Sequence, residues 1–218
     1  MKALASWFES KMQCLWSYKV ARVGSRIIVF AVFLQFAVLL MQTYLEVRTI
    51  NYLLLFLGEV LTISLIVFAR DTESVRLAPV AFLCAMAATF YYLYFSFDVG
   101  LSLFSDRRVA EFVQIFGIAF QIFAKLSLGR SFGLVPANRG VVTTGAYRLV
   151  RHPIYLGYLL GHVGFILGAF SIRNAVLLVV LYFFQGIRIL EEEKFLRREP
   201  EYLKYVKRVR WRAIPGLF

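Results

Sequence analysis

Residues 145–157 read Gly145-Ala146-Tyr147-Arg148-Leu149-Val150-Arg151-His152-Pro153-Ile154-Tyr155-Leu156-Gly157, and one hydrophobic pass later comes Glu192-Glu193-Lys194-Phe195-Leu196. Between these polar stretches the chain is apolar, with charges only at Arg173, Arg188 and Glu191. About 20 apolar residues cross the hydrocarbon core of a bilayer. Segments 153–170 and 174–190 approach that length and share a tight turn at Ser171-Ile172-Arg173-Asn174. They read as a membrane hairpin with ionisable groups gathered at its open end.

Working outward, four more apolar runs stand at 27–45, 51–69, 77–97 and 109–128, which predicts six spans. The composition agrees: 60% of the 218 residues are hydrophobic and 17% charged, with a mean hydropathy of +0.69. Soluble domains hold about 45–50% apolar and about 25% charged residues. The predicted class is therefore all-α, a polytopic helical membrane protein with a C-terminal hairpin and an amphipathic tail. Residues 1–26 mix Lys2, Glu9, Lys11, Lys19, Arg22 and Arg26 with Trp7, Phe8, Leu15 and Trp16. That mixture predicts an amphipathic helix on the membrane surface rather than a signal peptide.

The net charge is +12. In a soluble protein this would suggest nucleic acid; here basic residues at span ends, meeting anionic lipid, account for it and no nucleic acid is expected. With both termini cytoplasmic, the inside segments carry 19 Lys and Arg and the outside loops 4. Basic residues favour the cytoplasmic side, so this orientation and an even number of passes are predicted. The membrane would be a bacterial inner membrane or the endoplasmic reticulum. Cys14 and Cys84 form no metal spacing, the chain has two histidines, and no metal site is expected.

Segment 129–152 is too polar to span and longer than a simple turn, a kind of loop that is usually functional. It delivers the chain to Pro153, and proline suits the first turn of a helix. Arg151 and His152 thus stand at a helix entrance, where unpaired N–H groups favour a carboxylate or phosphate. Within that helix Gly157, Gly161, Gly164 and Gly168 share one face, the register of close helix packing; Gly157, nearest the loop, is also a candidate for opening room for a ligand. His162 reads as a packing residue. Arg188 and Glu192 lie four apart on one face, with Arg first, the less favourable order for a helix-stabilising pair. Arg188 also sits just inside the apolar boundary, where an ionisable group suggests function. Glu59 lies inside the second span and reads as either paired across helices or part of a substrate cavity. No Gly-x-Gly-x-x-Gly follows a strand, and no nucleophile stands with its base.

The run Arg151-His152-Pro153-Ile154-Tyr155-Leu156-Gly157, a hydrophobic stretch, and Glu192-Glu193-Lys194-Phe195-Leu196 together resemble the signature of integral-membrane methyltransferases related to isoprenylcysteine carboxyl methyltransferase. The resemblance covers roughly residues 125–218. It implies that S-adenosyl-L-methionine binds in a cytosol-facing pocket. The matching positions are Arg139, Gly140, Val141 and Val142, then Tyr147, His152, Pro153, Ile154 and Tyr155, and finally Glu192. Arg139 stands where the family often has histidine. Arg188 matches the arginine placed near the acceptor group, a catalytic assignment. The partners implied are membrane lipids and a lipophilic methyl acceptor. On this reading residues 1–128 form the amphipathic segment and four spans, and residues 129–218 the catalytic region.

Phospholipid amine methylation and small-thiol methylation belong to the same superfamily and stay open at this point. A different class, a membrane scaffold or a transporter built on Glu59 and Arg188, predicts broken helices and inverted symmetry. The sequence shows neither, and its polar residues gather at one membrane face.

Overall fold

The computed structural model describes residues 19–70, 91–94, 102–103, 106–133 and 140–218, together with Trp7, Ser10, Lys11 and Cys14. Apart from residues 91–94, the expected span 77–97 lies outside the described residues, as does most of the surface segment 1–26. Six α-helices are described: α1 Lys19–Val47, α2 Ile50–Val67, α3 Arg107–Leu128, α4 Pro153–Gly168, α5 Ile172–Leu196 and α6 Pro200–Arg208. In α1, α2, α3 and α5 there is a stretch long and apolar enough to cross a membrane; α4 is apolar and shorter. The protein is an all-α, polytopic membrane protein.

Local chemistry explains the breaks. Between α1 and α2 the chain turns at Arg48, which takes a left-handed φ of 58° while its N–H donates to the Tyr44 carbonyl at 2.8 Å. Asp106 caps α3, its carboxylate accepting from the Arg108 N–H at 2.9 Å, and Gly129 at φ 53° ends it. Pro153 opens α4 as its first residue. Lys19–Arg26, expected in the surface segment, instead continue into α1 as one helix.

The hairpin differs from its predicted form in two respects. Ser171 is the N-cap of α5 and Ile172 its first residue, so the turn is residues 169–171 and Asn174 is buried in the helix. More consequentially, α4 packs chiefly on α3 rather than on its hairpin partner α5. Glycine is the reason. A Cβ on Gly117 of α3 would land on the Gly161 backbone, and one on Gly164 on the Gln114 backbone. One on Gly157 would sit 2.7 Å from Gln121 Cα, so this glycine packs helices and does not open ligand space. In lipid, where apolar burial gives no drive between helices, such close approach supplies the packing energy.

At 16 residues α4 is about 24 Å long, whereas the 25-residue α5 reaches about 37 Å. A bilayer core is about 30 Å thick. Pressed onto α3, the N-terminus of α4 therefore begins short of the end of α5. The last turns of α5 and the tail helix α6 can then fold over that N-terminus.

Candidate active site

Where α4 begins, α5 runs past it and α6 folds back, the helices line one partly open cavity. Its outer part is walled by Gly140, Val141, Val142, Tyr147, His152, Ile154, Tyr155, Glu192, Leu196, Tyr202 and Tyr205. Deeper in, Tyr158, Gln185 and Arg188 form its sides. Val32, Phe33 and Phe36 of α1, with Glu59 of α2 and Tyr91, close its inner end. The lining thus joins polar and tyrosine side chains of the motif segments to aliphatic and aromatic side chains of α1 and to Glu59.

Of the site residues expected from sequence, Gly140, Val141, Val142, Tyr147, His152, Ile154, Tyr155, Arg188 and Glu192 all line this one cavity. Pro153 is buried as the first residue of α4 and acts through the helix it starts. Arg139 lies outside the described residues. Gly140 has φ 95°, a left-handed value that favours glycine, and brings backbone to the mouth beside Arg70. The Tyr155 hydroxyl lies near the Glu192 carboxylate, and the Arg188 guanidinium stacks over the Tyr155 ring at 5.7 Å. Tyr155 therefore neighbours both residues that sequence alone read as a possible ion pair.

Glu193, and not Glu192, is the structural hub. It is 2% exposed. Oε1 faces Arg151 Nη1 at 2.8 Å and His152 Nε2 at 3.4 Å; Oε2 faces Arg212 Nε at 3.1 Å and Arg197 Nη2 at 3.6 Å. His152 lines the cavity yet turns this nitrogen toward Glu193. The same region is stitched by backbone. Arg151 N–H donates to Trp211 O at 3.0 Å and His152 N–H to Arg212 O at 2.7 Å, while Arg151 Nη2 donates to Arg210 O at 3.0 Å.

The tail is consequently part of the site. Tyr202 and Tyr205 of α6 are buried and pack with Tyr147 and Val209, and Tyr205 donates its hydroxyl to the Tyr147 carbonyl at 2.7 Å. Burial pushes the Tyr147 hydroxyl well above the ordinary tyrosine range, helped by the nearby Glu192 charge, and it stays neutral. The amphipathic tail expected from sequence thus turns its apolar stripe, Tyr202, Tyr205 and Val209 at spacings of three and four, into the site.

Deeper, Lys125 of α3 is fully buried. Its ammonium donates to Thr62 Oγ1 at 2.7 Å and to Gly58 O at 3.2 Å, and lies 3.9 Å from Glu59 Oε1. Pairing across helices and a cavity position, the two alternatives for Glu59, are thus both realised. His162 is a bridging residue, with Nδ1 2.7 Å from the Tyr182 hydroxyl and Nε2 2.8 Å from that of Tyr91. Among the described residues no group of His, Cys, Asp or Glu could hold a metal ion.

Residues 108–199 match the family described as phospholipid methyltransferase. The chain is 36% identical over 112 residues to protein-S-isoprenylcysteine O-methyltransferase A of Arabidopsis thaliana, covering 46% of this chain and 57% of that protein. It is 34% identical over 122 residues to the probable protein-S-isoprenylcysteine O-methyltransferase of Oryza sativa subsp. japonica, 49% of this chain and 64% of that one. The chain thus spans less than two thirds of the length of these relatives. The likeness is isoprenylcysteine-methyltransferase-like, as the paired motifs indicated, and its family-matched segment ends just before α6.

Proposed function

We propose that this chain, whose C-terminal half is isoprenylcysteine carboxyl methyltransferase-like in sequence, is an integral-membrane S-adenosylmethionine-dependent methyltransferase acting on a lipophilic acceptor. One observation carries the reading: a single cavity joins the polar motif residues to aliphatic and aromatic side chains of α1. The mouth's chemistry fits the cofactor. Glu192 offers a carboxylate to ribose hydroxyls or to a cationic sulfonium, and tyrosine rings offer faces to adenine and to positive charge. In this reading Gly140, Val141, Val142, Tyr147, His152, Ile154, Tyr155 and Glu192 hold the cofactor, with Pro153 setting the helix entrance and Arg139, adjacent to Gly140 in sequence, assigned to the same role by resemblance. Residues 129–218 then form the catalytic region, and residues 1–128 frame the acceptor's approach from the bilayer.

When bound, S-adenosylmethionine supplies an electrophilic methyl group on sulfur. The protein's work is positioning and exclusion of water. Arg188 orients the acceptor's anionic group by a planar, bidentate fork, and Tyr155 under its guanidinium fixes the side chain's direction. Tyr155 also lies near the Glu192 carboxylate, so the proposed donor and acceptor ends meet beside one side chain. Alignment of this kind lowers a displacement barrier without proton transfer when the acceptor is a carboxylate. Closure by Tyr202 and Tyr205 keeps water from competing with an anionic nucleophile.

The name of the Arabidopsis relative, an isoprenylcysteine O-methyltransferase, supports a carboxylate acceptor. Phospholipid amine methylation is the second reading, favoured by the description of the matching family; a guanidinium in the cavity wall is a poor neighbour for a cationic amine. The surplus of basic residues supports a cytoplasmic mouth and cytoplasmic termini, and six passes.

The test is calorimetric titration of purified protein with S-adenosylhomocysteine, followed by methyl transfer from labelled S-adenosylmethionine to N-acetyl-S-farnesylcysteine. Saturable binding and a base-labile methyl ester are expected. Absence of binding by folded protein overturns the cofactor assignment. Binding with methyl transfer to phosphatidylethanolamine alone replaces the acceptor class.

A further inference from the structure

The layer that ties the tail to the start of α4 has two kinds of arginine. Arg151 and Arg212 turn inward to Glu193. Arg148 and Arg210 are exposed, and neither guanidinium has an acidic partner among the described residues. Arg210 lies over the half-buried Trp211 ring at 5.1 Å. The same layer exposes two large apolar side chains, Leu149 at 60% and Leu217 at 78%. A lone exposed leucine is unremarkable. Leucine, tryptophan and arginine gathered at the entrance of a membrane helix are the composition of a bilayer interface.

Chain geometry sets the depth of this layer. The 16-residue α4 is about 24 Å long and the hydrocarbon core about 30 Å thick. A helix this short cannot carry its entrance far into the water. Leu149 precedes Pro153 by four residues, at most about 14 Å of extended chain. Residues 211–212 share that depth, because their carbonyls accept from the Arg151 and His152 N–H groups. Leu217 is held close by: Ala213 N–H donates to Phe218 O at 2.8 Å, and Phe218 N–H to Ile214 O at 2.9 Å. The layer therefore lies at the level of lipid headgroups.

The outer face of α6 is a contrast within the same cap. Lys204 and Lys207 are exposed too, but they stand opposite the buried Tyr202 and Tyr205 and so point away from the helices they cover.

We propose that residues 148–149 and 210–217 form an interfacial anchor whose partner is the phospholipid surface of the leaflet nearest the start of α4. Leu149 and Leu217 enter the edge of the acyl region, Trp211 lies among the headgroups, and Arg148 and Arg210 bind lipid phosphates. The anchor does not depend on the chemistry of the cavity. On the methyltransferase reading, it fixes the site at the depth where the polar end of a lipophilic acceptor lies, so the acceptor's hydrocarbon part need not leave the bilayer.

Site-directed spin labelling tests the anchor in the full chain. Leu149→Cys, Leu217→Cys and Lys204→Cys are made singly in protein carrying Cys14→Ala and Cys84→Ala. Each is labelled and reconstituted into bilayers of phosphatidylcholine with phosphatidylglycerol. Collisions with oxygen, which concentrates among acyl chains, are compared with collisions with a water-soluble nickel chelate. The oxygen-to-nickel ratio should be severalfold higher at 149 and 217 than at 204. Arg148→Gln with Arg210→Gln should shift the ratio at 217 toward that at 204. If Leu149→Cys fails to fold, Leu217→Cys still decides. A ratio at 217 equal to that at 204 overturns the anchor. Shielding of 217 from both reagents would place it against another protein copy and overturn the lipid partner. A lipid-like ratio at 217 that ignores the two arginine substitutions overturns the phosphate contacts.

Discussion

Glu193 and Glu59 are both buried carboxylates at helix junctions, and they differ in how fully their surroundings answer them. Four basic side chains face Glu193, two on each oxygen. Glu59 has one lysine near one oxygen and no partner among the described residues at the other. Three of the groups around Glu193 also belong to segments stitched together by backbone hydrogen bonds, residues 151–152 with 211–212. A carboxylate ringed by basic groups in this way holds structure: it ties the tail to the start of α4. Glu59, with one lysine, links only α2 to α3. Burial and charge are alike in the two, so partner count is what separates a clamp from a single pair.

The comparison is broken most directly by removing the clamp. Glu193→Ala strips compensation from Arg151 and Arg212 and leaves buried positive charge, a kind of change that costs about 3–5 kcal/mol. The expected result in detergent is a large fall in Tm, with proteolysis within residues 197–218 at protein concentrations where wild type resists. Glu193→Gln keeps the shape and hydrogen-bonding capacity and should fall between. If Glu193→Ala leaves both stability and tail protection unchanged, Glu193 is not a clamp.

A neighbouring glutamate sharpens it. Glu192→Gln should weaken S-adenosylhomocysteine binding by about 1.5–3 kcal/mol, the worth of a charge-assisted hydrogen bond, with little change in Tm. Arg188→Ala should leave cofactor affinity near wild type and lower turnover, because its guanidinium orients the acceptor; Arg188→Lys should recover only part of it. Calorimetry and initial rates on the same preparations decide between these roles. A common fall in Tm with unchanged affinity and turnover would make Arg188 and Glu192 structural, like Glu193.

The glycine seam between α3 and α4 tests whether the site's floor is set by packing alone. Gly164→Ala places a methyl on the Gln114 backbone and should destabilise by about 1–3 kcal/mol, the usual cost of overpacking. Gly186 has open space around its missing Cβ, so Gly186→Ala should be neutral or mildly stabilising. Equal effects at the two positions would contradict the close approach of α3 and α4.

Much of this architecture was legible because membrane helices announce themselves by length and because Pro153 and the glycine spacing have mechanical meanings. The motif residues from Gly140 to Glu192 could be assigned to one site by resemblance, and nine of those described line one cavity. What stayed hidden has physical reasons. Successive helical residues turn by about 100°, so nothing local tells which of Glu191, Glu192 and Glu193 points at the start of α4. Lys125 lies near a span end, where a lysine ordinarily reaches for the interface; only packing of α3 against α2 shows that it turns inward to Glu59. The glycine face of α4 called for a close neighbour without saying which one. Gly117 of α3, the answer, is a lone glycine in an apolar run. Most of span 77–97, and Arg139, lie outside the described residues.

The smallest effect probes how the tail closes the site. Tyr205 donates to the Tyr147 carbonyl at 2.7 Å in a buried cluster with Tyr202 and Val209. Tyr205→Phe keeps the ring and removes the hydroxyl, so it should cost about 0.5–1.5 kcal/mol, a single neutral hydrogen bond. Burial also raises the ionisation of this hydroxyl above the ordinary tyrosine value, against the pull of Arg151 and Arg208. Its folded form therefore favours the neutral hydroxyl over the phenolate. The sign follows: the stabilisation is fully present below the unfolded tyrosine pKa of about 10 and is lost as pH rises through the higher folded value. Tyr205→Phe has no such group. Its stability deficit relative to wild type should hold constant through neutral pH and shrink under strongly alkaline conditions. Thermal unfolding of both proteins across that range measures the convergence. Parallel curves up to the most alkaline point would mean that the Tyr205 hydroxyl does not hold the tail in place.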